Sequence, residues 1–315
     1  MKTITQFVQQ GINNCSELQD ALQTAMRLEF STLPPYLCAE WSITGNDPDR
    51  VARMIHDIVL QEMFHFALAG NMLSAIRGTP KIANAQFLPS YPTNTLPGEI
   101  HQDLTVDLRP LSKEQLQVFM QIETPEFPPV QVAARAPGPA TIGEFYTTLS
   151  KAFENINPPI DPNAHFVTRG AEVFQIKSIK DAQNAIERIK GEGEGAPGDP
   201  DQPANPDRLA HFYVFKEIFV GNVLSFDPKS GRLVPVPGMP IRFPSIFPFE
   251  PSTAMPNPST AFDRLLSQLL TDLEACWTKG ASLGKAIGDM IDLGEEGRNL
   301  INQGIRPDFA WVASA

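Results

Sequence analysis

Between residues 51 and 76 the chain reads VARMIHDIVLQEMFHFALAGNMLSAI, and its apolar residues recur at steps of three and four: Ile55, Ile58, Val59, Phe66, Ala69, Met72, Leu73 and Ile76. That period predicts an amphipathic helix, free of proline and carrying one glycine, Gly70. Glu62 follows Ile58 by four and His65 precedes Met72 by seven, so a carboxylate and an imidazole share the core-facing stripe. A buried carboxylate without a partner costs on the order of several kcal/mol, so something should compensate it. Glu-x-x-His on an inward face is how helical bundles hold pairs of iron or manganese ions. The plainer reading is a core histidine satisfied by a carbonyl. A metal site demands more: a lone inward Glu on a neighbouring helix and a second Glu/His set elsewhere.

The preceding segment supplies the first of these. Residues 16 to 44 open with Ser16 and Glu17, an N-cap pattern, and place Leu18, Leu22, Ala25 and Glu29 at helical spacing. Glu29 is therefore on the apolar stripe, with Glu40 an alternative inward carboxylate nearly on the same face. Pro34 and Pro35 cannot donate to the carbonyls of Phe30 and Ser31, which predicts a kink or a widened turn just after Glu29. The turn TGNDPD at 44 to 49 is short enough to make the two helices antiparallel neighbours. Counted from that turn at roughly 1.5 Å per residue, Glu29 and Glu62 come level.

Further along, LTVDLRP at 104 to 110 alternates like a short strand. SKEQLQVFMQIE at 112 to 123 predicts a Ser-capped helix that ends before Pro125, with Glu123 on its apolar side as an ion-pairing residue or, alternatively, a residue of the site. The helix expected over 141 to 156 has apolar Ile142, Phe145, Tyr146, Leu149, Phe153 and Ile156, and Glu144 points away from that stripe. A fourth helix carries Ile176, Ile179, Ala182, Ile186 and Ile189 and is broken by Gly191, Gly193 and Gly195. No second Glu-x-x-His occurs there, because Lys190 stands three after Glu187. Read alone, Glu192 and Glu194 are a solvated acidic loop. A hairpin is expected at DPKSGRLVPV, and two closing helices over 259–277 and 280–303 read as packing elements.

Composition narrows the setting. The formal net charge of −11 and the pI near 5.0 disfavour nucleic acid and anionic membranes as partners. Cys15, Cys38 and Cys276 are odd in number and far apart, which disfavours a disulfide framework or a zinc site and fits a reducing cytoplasm. The N-terminus lacks a signal-peptide run and no stretch is long enough to span a membrane. The 30 prolines crowd into 80–139, 197–206 and 227–258, so long ordered excursions should connect the helices.

Several motifs in order carry a resemblance: LQTAMRLEFSTLPPYLCAEWSI, VLQEMFHFALAGNMLSAIRGTPKI, SYPTNTLPGEIHQDLTVDLRPLSKEQLQVFMQIETPE, TIGEFYTTL, and GEGAPGDP with the later HFYVFKEI. Over residues 15 to about 240 they resemble the ferritin-like domain family typified by iminophenyl-pyruvate dimer synthase of violacein biosynthesis, of which this chain looks like a stand-alone relative. The resemblance implies an all-α, ferritin-like antiparallel four-helix bundle with long Pro-rich excursions in residues 1–240, and a C-terminal helical extension in 241–315. It implies a two-metal centre with Glu29 and Glu144 as terminal ligands, Glu62 and Glu194 as bridges, and one nitrogen each from His65 and His211. Iron ranks ahead of manganese, and haem stays open. The implied function is a di-iron oxidase or oxygenase acting on a small amino-acid-derived or aromatic metabolite, in a chain that could form a homo-oligomer. Two alternatives stand beside it: a non-catalytic metal-binding or peroxide-detoxifying protein, and a scaffold whose Glu62 and His65 merely hydrogen-bond.

Overall fold

The computed structural model describes residues 2–44, 50–100, 104–124, 140–193, 209–227, 229–230, 232–254 and 257–313. The helices are α1 (Ile4–Gln10), α2 (Cys15–Trp41), α3 (Arg50–Ala75), α4 (Lys113–Ile122), α5 (Ile142–Ile156), α6 (Ile179–Gly193), α7 (His211–Val220), α8 (Thr260–Lys279) and α9 (Leu283–Asn302). The small strands are β1 (Ile43–Thr44), β2 (Asn222–Asp227), β3 (Arg232–Pro240) and β4 (Ser245–Ile246). They form two antiparallel pairs, β1 with β4 and β2 with β3.

The bundle is made of two helix pairs, α2 with α3 and α5 with α6, closed by α2 packing on α5 and α3 on α6. Contacts along the first pair fix its direction. Gln19 bonds the Ile76 carbonyl and Glu40 meets His56, so residue numbers rise on α2 as they fall on α3. The apolar stripe of α3 is buried along its whole length, from Ile55 to Leu73. Helices α4 and α7 pack on each other at one side of the bundle, where Tyr36, Phe119 and Phe215 meet with ring centroids 4.6 to 5.1 Å apart.

Two glycines on helices seat the C-terminal pair α8–α9. A Cβ at Gly70 would lie 2.5 Å from the Trp277 ring, and one at Gly297 would lie 2.2 Å from that of Trp41. Only a residue without a side chain lets each indole approach so closely. Trp277 then donates to Asn71, a fully buried amide that also bonds the carbonyls of Val167 and Phe174.

Several sequence expectations are revised. Helix α2 runs through Pro34 and Pro35 to Trp41. The Ser31 carbonyl, which Pro35 cannot serve, takes a hydrogen from the Tyr91 hydroxyl at 2.6 Å instead. Residues 104–110 form no strand; only the isolated bridge between Thr93 and Val106 remains of that alternation. Helix α6 continues past Gly191 to Gly193. The hairpin is present as β2–β3, with Asp227 paired to Arg232. Helix α1, not anticipated, is closed by a capping box between Thr3 and Gln6.

Candidate metal centre

Glu29, Glu62 and His65 meet between α2 and α3, each offering one ligand atom, all within 4.8 Å of one another. A second group, Glu62, Glu123 and His211, meets the same condition. Glu62 belongs to both. All five side chains are buried, none more than 8% exposed, and the two imidazole rings lie nearly parallel with centroids 5.7 Å apart.

Each imidazole is held in the same way. His65 turns Nδ1 toward Glu29 and Glu62, at 3.6 and 3.7 Å, and sets Nε2 3.0 Å from Glu192 Oε2. His211 turns Nδ1 toward Glu62 and Glu123, at 2.9 and 3.6 Å, and sets Nε2 3.1 Å from Gln61 Oε1. A carboxylate or amide oxygen only accepts, so in both rings Nε2 carries the hydrogen and the inward Nδ1 keeps its lone pair when the ring is neutral. An outer oxygen that fixes the tautomer in this way accompanies most metal-binding histidines. His211 Nδ1 is buried and, despite lying close to Glu62, makes no aligned hydrogen bond among the described residues. In the neutral ring that nitrogen's lone pair is aimed between Glu62 and Glu123.

The carboxylates are oriented by hydroxyls. Tyr146 donates to Glu29, Tyr36 to Glu123 at 2.5 Å, and Thr32 to Glu62 Oε2 at 2.8 Å. Each leaves its carboxylate a further oxygen for the centre. Burial raises the Glu29 carboxyl above its usual range, and the nearby Glu62 adds to this against the pull of His65. Burial acts the same way on Glu62, but the two imidazoles outweigh it and hold that carboxyl below its usual range. Burial opposes the charged form of both histidines, yet Glu192, Glu29 and Glu62 lift His65 well above its ordinary value. Glu123 and Glu62 lift His211 to about 9. Without a metal, imidazolium charge balances the buried carboxylates. Oxygen and imidazole donors of this kind suit iron or manganese. Two protonated rings are what two divalent ions would replace.

Of the six residues named from the sequence, Glu29, Glu62, His65 and His211 come together here. Glu194 lies outside the described residues. Glu144 is engaged elsewhere: in the capping box of α5 its carboxylate accepts from the Thr141 amide, at 2.8 Å, while Thr141 Oγ1 accepts from the Glu144 amide. It belongs to neither group, as the wheel of α5 implied. The second group takes its further carboxylate from Glu123, at the C-cap of α4. Glu192 is not a solvated loop residue, since it bonds His65 and pairs with Arg188 at 3.0 Å. Glu40 faces away from the centre and bonds His56 and Arg298. Tyr146 was legible as part of the α5 stripe but not as a hydroxyl donor, and no pattern in the sequence singles out Gln61 or Thr32.

The sequence model of the Ferritin-like family matches residues 22–220, a span that contains both groups. The chain belongs to the Ferritin-like family. A ferritin-like protein from Caulobacter vibrioides has a similar crystal structure, with a TM-score of 0.67 at 20% identity, over 93% of this chain and 97% of that one. At that identity the likeness establishes the ferritin-like fold. No curated protein matches the sequence. Among the described residues of this ferritin-like chain, no helix is long and apolar enough to cross a membrane.

Proposed function

We propose that this chain is a ferritin-like non-haem di-metal oxidase or oxygenase, with residues 1–240 as the metal-holding unit and 241–315 as a helical extension. Glu29, Glu62 and His65 would hold one ion, and Glu62, Glu123 and His211 the other, with Glu62 shared. The observation that carries this reading is the buried, unaligned Nδ1 of His211 facing a carboxylate that His65 also faces. Two iron ions sharing a carboxylate would supply the electrons for reducing dioxygen or peroxide. The protein's own part is positioning. Glu192 and Gln61 keep each Nε2 protonated, Tyr146, Tyr36 and Thr32 turn carboxylate oxygens inward, and Leu28, Ile122, Ile142 and Ile189 line the apolar side of the cavity.

The resemblance to the iminophenyl-pyruvate dimer synthase family supports an amino-acid-derived or aromatic substrate. One observation favours a second reading, a metal protein that consumes peroxide without an organic substrate. The cavity bounded by Glu29, Glu62, His65, Glu123 and Tyr146 encloses about 30 Å³, room for about two water-sized molecules. Metal analysis after anaerobic iron loading should give two ions per chain, with two anomalous peaks beside Glu62. Fewer than one ion per chain after loading would leave the centre a hydrogen-bonded cluster without metal. Oxygen uptake on adding amino-acid-derived imines separates the oxidase from the peroxide reading, in which peroxide alone is consumed.

A further inference from the structure

On the face of α2 and α3 turned away from the carboxylates, the pair α8–α9 does not close fully onto the bundle. A cavity of about 500 Å³ remains, walled by Leu37, Val59, Met63, Leu270, Leu273 and Ile287 among others. Protein interiors hold few voids larger than a water molecule, whereas small-molecule sites enclose roughly 300–1,000 Å³. Trp277 against Gly70 and Trp41 against Gly297 set the separation of the two helix pairs, so the space is not a loose fit awaiting closure.

Of the ionisable residues that line it, His56, Arg169, Glu295 and Arg298 are exposed and one is buried. Glu40 is only 8% exposed. Its Oε1 lies 3.2 Å from His56 Nδ1 and 3.3 Å from Arg298 Nη2, while its Oε2 is buried with no hydrogen-bond partner among the described residues. A buried carboxylate oxygen left without a donor is costly. Water reaches the rim, where His56 and Arg298 are half-exposed, but most of the residues around the space are apolar.

We propose that the cavity between α2–α3 and α8–α9 binds an apolar small molecule ending in a hydrogen-bond donor, an aliphatic or aromatic alcohol or amine, whose donor meets Glu40 Oε2. The apolar body replaces the missing packing and the single donor satisfies the orphaned oxygen. A carboxylate-ended ligand is disfavoured, because it would bring a second anion to Glu40 while Arg298 is already engaged there. The site shares helices α2 and α3 with the metal centre but none of the residues that line it, so its occupancy does not depend on metal.

The test uses the full chain, metal-free and iron-loaded, with N-phenyl-1-naphthylamine as a fluorescent probe displaced by two isomers, decan-1-ol and methyl nonyl ether. The alcohol should displace the probe at about tenfold lower concentration than the ether, the difference expected of one hydrogen bond to a charged acceptor. Glu40→Leu should erase that preference while leaving the ether unchanged. Leu273→Trp on α8 and Ile287→Trp on α9, checked for folding by thermal unfolding, should each weaken both ligands tenfold or more with iron content unaltered. Failure of the folded protein to take up the probe, equal potency of the two isomers, or a preference that survives Glu40→Leu would overturn the proposal. So would sedimentation showing a dimer that Leu273→Trp dissociates, since the face would then be an interface between copies. Because the metal-free protein should behave identically, loss of metal binding by itself leaves this result intact.

Discussion

The two halves of the proposed metal centre are built from different kinds of structure. Glu29, Glu62 and His65 project from α2 and α3, helices of 27 and 26 residues that pack along their lengths. Glu123 and His211 stand at the ends of α4 and α7, helices of 10 residues each. The first half is positioned by helical periodicity; the second depends on the Tyr36–Phe119–Phe215 cluster that ties α2, α4 and α7 together. His211 is also the first residue of α7, where the helix dipole disfavours an imidazolium, and α7 has no side-chain N-cap. A ligand at such an end is therefore easier to displace than one in the middle of a long helix. The comparison teaches that a nearly symmetrical donor set can rest on supports of unequal stiffness.

The strongest way to break the comparison is to remove what the halves share. Glu62→Ala should lower iron from two ions per chain to none, measured by elemental analysis. Retention of a full ion would show that the halves are independent. Removing one nitrogen should separate them: His211→Ala should leave one anomalous peak, beside Glu29 and His65, and His65→Ala the other peak. The outer oxygens come next. Gln61→Leu should weaken the second ion and Glu192→Leu the first by about 10–100-fold in affinity, as expected when a histidine loses its orienting partner, which equilibrium titration against a chelator would read. If Gln61→Leu has the smaller effect, the difference in stiffness is not what controls affinity.

Proton competition sharpens the comparison further. With His211 raised to about 9, that ring is charged at pH 7 in the metal-free protein, and the second ion must displace its proton. Apparent affinity at that half should therefore rise by about tenfold per pH unit up to about pH 9 and level off above it. Titration in weak buffer should show the matching proton release. A flat profile between pH 6 and 8 would mean that the ring is already neutral. The smallest effect belongs to Glu144. Glu144→Ala should leave both ions in place and lower stability to unfolding by about 1 kcal/mol, the worth of a helix cap. An ion lost in this variant would return Glu144 to the centre.

The legibility of these features follows the same divide. Glu62 and His65 were readable because a 26-residue helix repeats its faces often enough for the core side to be identified. Glu29 followed from a second long helix and a short connection. The capping box of Glu144 was written locally as Thr-x-x-Glu, and the α5 wheel already turned this residue outward, but the family resemblance pointed the other way. Glu123 was visible only as a carboxylate on the apolar side of a short helix, where an ion pair and a ligand look alike.

The sequence alone determined the long helices, the buried stripes of α2 and α3, and the pairing of Glu29 with Glu62 and His65, because periodicity and a short turn are local properties. Only the tertiary structure decided that Glu123 completes the second group, that Glu192 and Gln61 hold the two imidazoles, and that a cavity lies under α8–α9. Those outcomes depend on where distant segments come to rest: Tyr36 meets Glu123 across 87 residues and His65 meets Glu192 across 127. No local spacing encodes such a meeting, which is settled by how whole apolar faces pack against one another.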